Sequence, residues 1–146
     1  MIYISSDHAG FELKKKLKKY LEAKDLRFED LGPEKFVKDD DYPDFALPLA
    51  KKVAESSENK GILICGNGVG VSIVANKVKG VRAALSWDLR HAASARNDDD
   101  ANVLSLPARH ISEDQAKNVV RAFLETPFSQ DARHVRRIGK VSEAEK

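Results

Sequence analysis

Short apolar runs alternate along this chain with stretches whose apolar residues recur every three or four positions. The first kind predicts strands at residues 2–5, 26–31, 62–65, 81–85 and 102–106, and the second predicts the helices that separate them. Phe11, Leu13, Leu17 and Leu21 line one side of a lysine-rich first helix. Gly32-Pro33 punctuates the end of the second strand. An acidic, turn-prone loop follows at 38–42, and Pro43 opens the next helix. Further helices are read at 69–77 and 88–98. The next helix has the clearest start signal, because Ser112 and Gln115 form a capping-box pair ahead of the stripe Ala116, Val119, Val120, Phe123 and Leu124. Pro127 ends it, and the basic segment 131–146 predicts a last helix.

Strands alternating with helices of this length imply an α/β fold, with a five-stranded parallel sheet covered on both faces. No repeat, low-complexity tract or internal boundary divides the 146 residues, so they read as one domain, 1–146. In such sheets ligands bind beyond the carboxyl ends of the strands, near the point where the strand order reverses. Ser6-Asp7-His8, the segment from Cys65 to Gly70, and the turn after Leu85 all fall at such ends. Candidate chemistry is therefore expected to converge there.

Composition narrows the function mainly by exclusion. With 25 basic and 23 acidic residues the net charge is only +2, so no global field draws the chain to nucleic acid or to a membrane. No apolar run approaches the roughly 20 residues needed to span a bilayer. A single cysteine excludes an intrachain disulfide and fits a reducing compartment. The first residues, Met-Ile-Tyr-Ile-Ser-Ser-Asp, have no charged leader followed by an apolar segment, which predicts a cytoplasmic protein.

The stretch Gly61-Ile-Leu-Ile-Cys-Gly-Asn-Gly-Val-Gly70 carries the chemistry. A strand that stops in a glycine-rich turn and opens into a helix leaves backbone N–H groups unpaired, and those donors can hold a phosphate or an oxyanion formed during reaction. A helix N-terminus also favours the thiolate of a cysteine placed beside it. A thiolate next to an anion hole is equipped to remove a proton adjacent to a carbonyl. The loop is not a P-loop, because no Lys-Ser or Lys-Thr follows, and it lacks the glycine at position 71 that the dinucleotide fingerprint requires. On spacing alone it also reads as a tight turn with Cys65 as a small buried hydrophobe. The basic segment near the end reads equally as a solvated helix face. The run Asp98-Asp99-Asp100 suggests hard-cation ligands, but consecutive aspartates at a helix end rarely converge on one ion, so Asp99 and Asp100 are read as a solvated turn and no metal is expected.

Several segments together change the balance: Ser6-Asp7-His8-Ala9-Gly10, Asp41-Tyr42-Pro43, the glycine loop, Ala75-Asn76-Lys77-Val78, Gly80-Val81-Arg82, Asn102-Val103-Leu104 and Arg133-His134-x-x-Arg137. In this order and spacing the chain resembles the type B ribose-5-phosphate isomerases and the related galactose-6-phosphate isomerase subunits. The resemblance implies a single Rossmann-like three-layer domain that dimerises through its C-terminal helix, with a tetramer as the alternative assembly and each active site built from both chains. It implies an aldose–ketose isomerase that needs no cofactor and takes a small sugar phosphate, ribose 5-phosphate first. Cys65 is then the base that moves a proton between C1 and C2, and the N–H groups of Gly66, Gly68, Val69 and Gly70 stabilise the enediolate. Asp7, His8, Tyr42 and Asn102 become substrate-binding residues. Arg109, Arg133, His134 and Arg137 become the phosphate grip, some of them reaching across the dimer. His91 and His110 match no motif and are read as structural or exposed.

Two departures bear on the substrate. The family usually has Ser or Thr two residues after the cysteine, where a hydroxyl can shuttle a proton; this chain has Asn67, whose amide is a poor relay. A histidine that helps open the cyclic sugar is usual where this chain has Asp98. An ionised carboxylate can act as a base in ring opening but has no proton to give the ring oxygen. Asn67 and Asp98 join Cys65 as candidate catalytic residues, with Asp98 read alternatively as a ligand for a substrate hydroxyl or as a residue without a role. Alternative substrates are therefore allose 6-phosphate or a tetrose 4-phosphate, whose blocked O4 prevents a furanose ring. A sugar-phosphate-binding module without turnover is the alternative from another class, and it would bind without exchanging the C2 proton.

Overall fold

A computed structural model describes all 146 residues. The strands β1 (Ile2–Ser6), β2 (Phe28–Asp30), β3 (Lys60–Cys65), β4 (Ala83–Leu85) and β5 (Val103–Pro107) form one sheet in the order β2-β1-β3-β5-β4. Every pairing is parallel. The helices are α1 (Phe11–Ala23), α2 (Pro43–Ala54), α3 (Val69–Ala75), α4 (Leu89–Asp99), α5 (Glu113–Glu125) and α6 (Ala132–Glu143). Short 3₁₀ turns, His8–Gly10 and Ala108–His110, follow β1 and β5. No helix is long and apolar enough to cross a membrane.

Alternation along the strands divides the core into two layers. Ile4, Ile62, Ile64, Leu104 and Leu106 belong to one cluster with Leu17 and Leu21 of α1, Ala92 of α4, and Val120 and Phe123 of α5. Tyr3, Leu63, Cys65 and Val103 belong to the other, with Leu49 and Val53 of α2 and Val71 and Ala75 of α3. Because both faces are covered, the central strands read as continuous apolar runs rather than as alternating ones. The two edge strands have a neighbour on one side only, and each keeps just three residues of the longer runs 26–31 and 81–85. Helix α3 also stops short of residue 77, where the N–H groups of Lys77 and Val78 fold back onto the carbonyls of Val74 and Ala75.

One position on the buried face of α1 is charged. Lys14 shares the inner stripe of α1 with Leu17 and Leu21 and is fully buried. Its ammonium donates to Asp30 at 2.8 Å and to the Pro33 carbonyl at 2.7 Å, so the charge is paired. Burial lowers the Lys14 pKa, and the bond to Asp30 opposes that shift.

The strand order sets the position of the site. From β1 the chain moves to β2 on one side and then to β3 on the other, which opens a crevice at the carboxyl ends of β1 and β3. The Asp7 N–H reaches the Ile64 carbonyl at 3.3 Å, and the Arg109 N–H reaches the Gly66 carbonyl at 3.0 Å, tying three strand ends together. Gly10 lets the first 3₁₀ turn lie directly on β3, because a Cβ there would sit 2.7 Å from the Ile64 carbonyl oxygen. The Gly10→Ala variant is therefore expected to lose about 1–3 kcal/mol of stability through overpacking against backbone. Urea denaturation checks this, and an unchanged midpoint would contradict the close approach.

Candidate active site

The crevice is a cavity of about 380 Å³. Nine residues singled out from the sequence line it: Asp7, His8, Tyr42, Cys65, Gly66, Asn67, Val69, Gly70 and Arg109. Ala9 and Ile73 complete the wall.

Cys65 ends β3 and is buried. The chain then turns through Gly68 in the left-handed region, at φ 71°. A Cβ at Gly68 would lie 2.5 Å from the Leu85 side chain and 3.0 Å from the backbone of Leu106 and Pro107, so only glycine fits. The turn aims the Gly68 N–H at the Cys65 sulfur, 3.2 Å away. Such a donor suits a thiolate, which accepts hydrogen bonds more strongly than a thiol. That N–H is therefore committed to the sulfur. The N–H groups of Gly66, Asn67, Val69 and Gly70 have no acceptor within the protein and remain for an anion.

The outer glycines have a second use. A Cβ at Gly66 would lie 2.7 Å from the guanidinium carbon of Arg109, and one at Gly70 would lie 2.6 Å from the ring of Tyr42. Their bare backbone lets a cation and an aromatic ring close against the two ends of the loop.

His8 opens the first 3₁₀ turn on the other side of the cavity. Its Nδ1 lies 2.7 Å from Oδ1 of Asp40, and its backbone N–H donates to the same oxygen at 2.8 Å. The Asp40 side chain is only 8% exposed. The hydrogen bond to Asp40 raises the His8 pKa, with Asp7 adding to the effect and desolvation opposing it. Asp7 itself is buried and accepts the Gly10 N–H at 3.1 Å. Asp7, His8 and Asp40 offer three possible metal-ligand atoms within 4.8 Å of one another, and His8 and Asp40 are already bonded to each other.

The other sequence-selected residues lie outside this cavity. Asn102 stands at the amino end of β5, where its amide donates to the Gly80 carbonyl at 2.9 Å and accepts the Arg82 N–H at 2.8 Å. Those bonds make it a brace at the opposite end of the sheet. Asp98 is half-buried on α4, with Oδ1 3.8 Å from Nε2 of His134. His134 is buried, and its Nδ1 meets the Ser129 hydroxyl at 2.8 Å. Arg133 and Arg137 are exposed on the same helix, α6. The aspartate run is not a solvated turn throughout. Asp100 pairs with Arg96 at 2.7 Å and with Arg82 at 3.2 Å, because the helix ends there in a left-handed residue that turns its carboxylate inward.

Two residues were missed. Asp40 sits within the acidic run 39–41, and nothing in its spacing separates it from its neighbours. His110 is exposed as expected, yet its Nε2 lies 3.3 Å from Oδ1 of Asn67, beside the cavity. His91 is structural, stacked on Trp87 at 5.9 Å with Nδ1 2.9 Å from the Ser86 hydroxyl.

A thiol, a loop of unpaired backbone N–H groups, a guanidinium and an imidazole surround one crevice beyond the carboxyl ends of a parallel sheet, where α/β enzymes hold anionic substrates. The chain matches the family model described as Ribose/Galactose Isomerase over residues 2–141, and it belongs to that family. It is 48% identical over 146 residues to the probable ribose-5-phosphate isomerase B of Mycoplasma genitalium, covering 99% of this chain and 95% of that protein. To the probable ribose-5-phosphate isomerase B of Mycoplasma pneumoniae it is 47% identical over 140 residues, covering 96% and 91%. The crystal structure of the Mycoplasma genitalium ribose-5-phosphate isomerase B with bound ribulose-5-phosphate superposes with a TM-score of 0.95 over 99% of this chain and 95% of that one. The ribose 5-phosphate isomerase from Thermotoga maritima gives 0.92 at 44% identity, over 97% of each.

The Gly66→Ala variant is expected to push the Arg109 guanidinium out of the cavity while leaving the backbone in place. Losing one hydrogen bond to a charged group should weaken binding of inorganic phosphate by roughly 10- to 100-fold, with little change in melting temperature. Calorimetric titration measures this, and undiminished phosphate affinity would remove Arg109 from the binding site.

Proposed function

We propose that this protein interconverts ribose 5-phosphate and ribulose 5-phosphate, with Cys65 as the base. The observation that carries the reading is the Cys65 sulfur, held by the Gly68 N–H at the floor of a cavity whose opposite walls present His8 and Arg109. Its relatives' names and the ribulose-5-phosphate complex of the Mycoplasma genitalium enzyme support the choice of substrate.

In this mechanism the open-chain aldose lies with C1 and C2 over the loop and its phosphate toward His8 and Arg109. The Cys65 thiolate takes the C2 proton, and the C–H electron pair forms a C1–C2 double bond as the carbonyl oxygen on C1 becomes negative. The unpaired N–H groups of Gly66, Asn67, Val69 and Gly70 suit that oxygen, which is where fixed donors contribute most. The thiol returns a proton to C1, and the hydroxyl proton on the C2 oxygen passes to the C1 oxygen, which leaves a ketone at C2 and a hydroxyl at C1. Asn67 can hold both oxygens in line, donating through Nδ2 while Oδ1 accepts from His110.

Asp98, Arg133, His134 and Arg137 form a second group on α4 and α6, separate from the cavity within one chain. The exposure of Arg133 and Arg137 fits a homodimer in which α6 of one copy completes the cavity of the other. A free thiol in the site suits a reducing cytoplasm.

In deuterated water, wild type should convert ribose 5-phosphate to the ketose with deuterium at C1, and the reverse reaction should place deuterium at C2 of the recovered aldose. Cys65→Ala should be slower by at least about 100-fold, the usual contribution of a positioned base. Proton NMR reads both, and equal rates would take the cysteine out of the mechanism. If sites are shared, mixing inactive Cys65→Ala and Arg137→Ala proteins under exchange should restore activity, since each mixed dimer keeps one intact site. A mixture as inactive as its components would contradict the shared site.

A further inference from the structure

We infer that Asp40 is a positioning residue of this site: its buried carboxylate clamps His8 at Nδ1 and at the backbone, leaving the Nε2–H of the imidazolium as an anchor for the substrate phosphate. The inference rests on the sugar-phosphate reading above and adds a residue that the glycine loop and its neighbours do not include.

The geometry has three parts. Asp40 Oδ1 takes two bonds from one residue, the ring Nδ1 at 2.7 Å and the backbone N–H at 2.8 Å, which fixes both the position and the rotation of His8. A carboxylate only accepts, so Nδ1 must carry a proton, and Nε2 is the one ring nitrogen left for a ligand. The second oxygen, Oδ2, is buried without a hydrogen-bond partner, and His8 is the only basic group within ion-pair distance of Asp40. A dry carboxylate with one cationic neighbour favours the charged form of that neighbour. The Phe36 ring lies nearly perpendicular to the imidazole, with centroids 6.4 Å apart, on one side of it.

The titratable and charged groups facing His8 are few. Asp40, on the loop before α2, and Asp7, at the end of β1, both favour the imidazolium, and Cys65, Tyr42 and Arg109 face it across the cavity. The His8 pKa is raised, chiefly by the bond to Asp40, so the charged ring persists above the ordinary value of 6.5 and is lost only as pH rises through the raised value. A phosphate dianion, which forms above about pH 6, therefore meets a cationic anchor at neutral pH.

The test is the isosteric Asp40→Asn variant, with His8 assigned by the signal lost in His8→Gln. Proton NMR titration should show the His8 midpoint lower in the variant than in wild type. Inorganic phosphate should bind both proteins alike at pH values well below both midpoints, where His8 is charged in each. Between the variant and wild-type midpoints the variant should bind roughly 10-fold more weakly, the cost of a lost charge-assisted bond. Ionisation of the phosphate is common to both and cancels in the ratio. With ribose 5-phosphate the loss should appear in KM rather than kcat, and Asp40→Glu should restore the wild-type pH profile. An unmoved His8 midpoint, a ratio that is flat with pH, or a wild type that ignores phosphate would each overturn the clamp. Should wild type bind phosphate yet fail to turn over ribose 5-phosphate, the titration still decides the clamp and only the choice of reaction falls.

Discussion

The site depends on a left-handed turn at Gly68 in a space with no room for a Cβ. Leu85 and the β5 backbone close on that position from outside, and the chain has one conformation in which to leave β3 and enter α3. That conformation aims the Gly68 N–H at the Cys65 sulfur and leaves the neighbouring donors free for an anion. It also brings Gly66 under Arg109 and Gly70 under Tyr42, so the loop, the cation and the ring form one rigid wall. A reacting thiol needs this kind of preorganisation, because donors already in place need no reorganisation when charge develops.

The opposite wall comes from a different part of the chain and meets the first only through the strand order. The chain reverses between β1 and β3, so the segment after β1 lies across the crevice from the glycine loop. Gly10 allows the turn to rest on the Ile64 carbonyl, and Asp40 reaches over from the loop before α2 to hold His8. One wall therefore carries the proton chemistry together with Arg109, and the other adds His8 as a second cation for the phosphate. Binding energy from the phosphate between these two cations can position the reacting carbon over the thiol.

The sheet was legible because alternation and run length are local properties. Residues 62–65 are apolar at every position because both faces of β3 are covered, and the capping box at Ser112 forms as its spacing demands. The shortness of β2 and β4 was not legible, since edge position is decided by distant partners. Lys14 likewise sits on an apolar stripe whose pattern gives no sign of Asp30 behind it. Within the site, the glycine loop announces itself by composition, whereas Asp40 is one of three consecutive aspartates and only folding selects it. Asn102 was misjudged for an instructive reason. A strand beginning there puts its first residue at the amino end, away from the crevice, so the strand reading and the site reading were already in conflict.

The most direct test of the account is a crystal structure of the protein with ribulose 5-phosphate bound. The account predicts C1 and C2 of the sugar within van der Waals reach of the Cys65 sulfur, their oxygens on the loop N–H groups, and the phosphate between His8 and Arg109. A sugar bound with its phosphate in the glycine loop, or its reacting carbons beyond reach of Cys65, would contradict it.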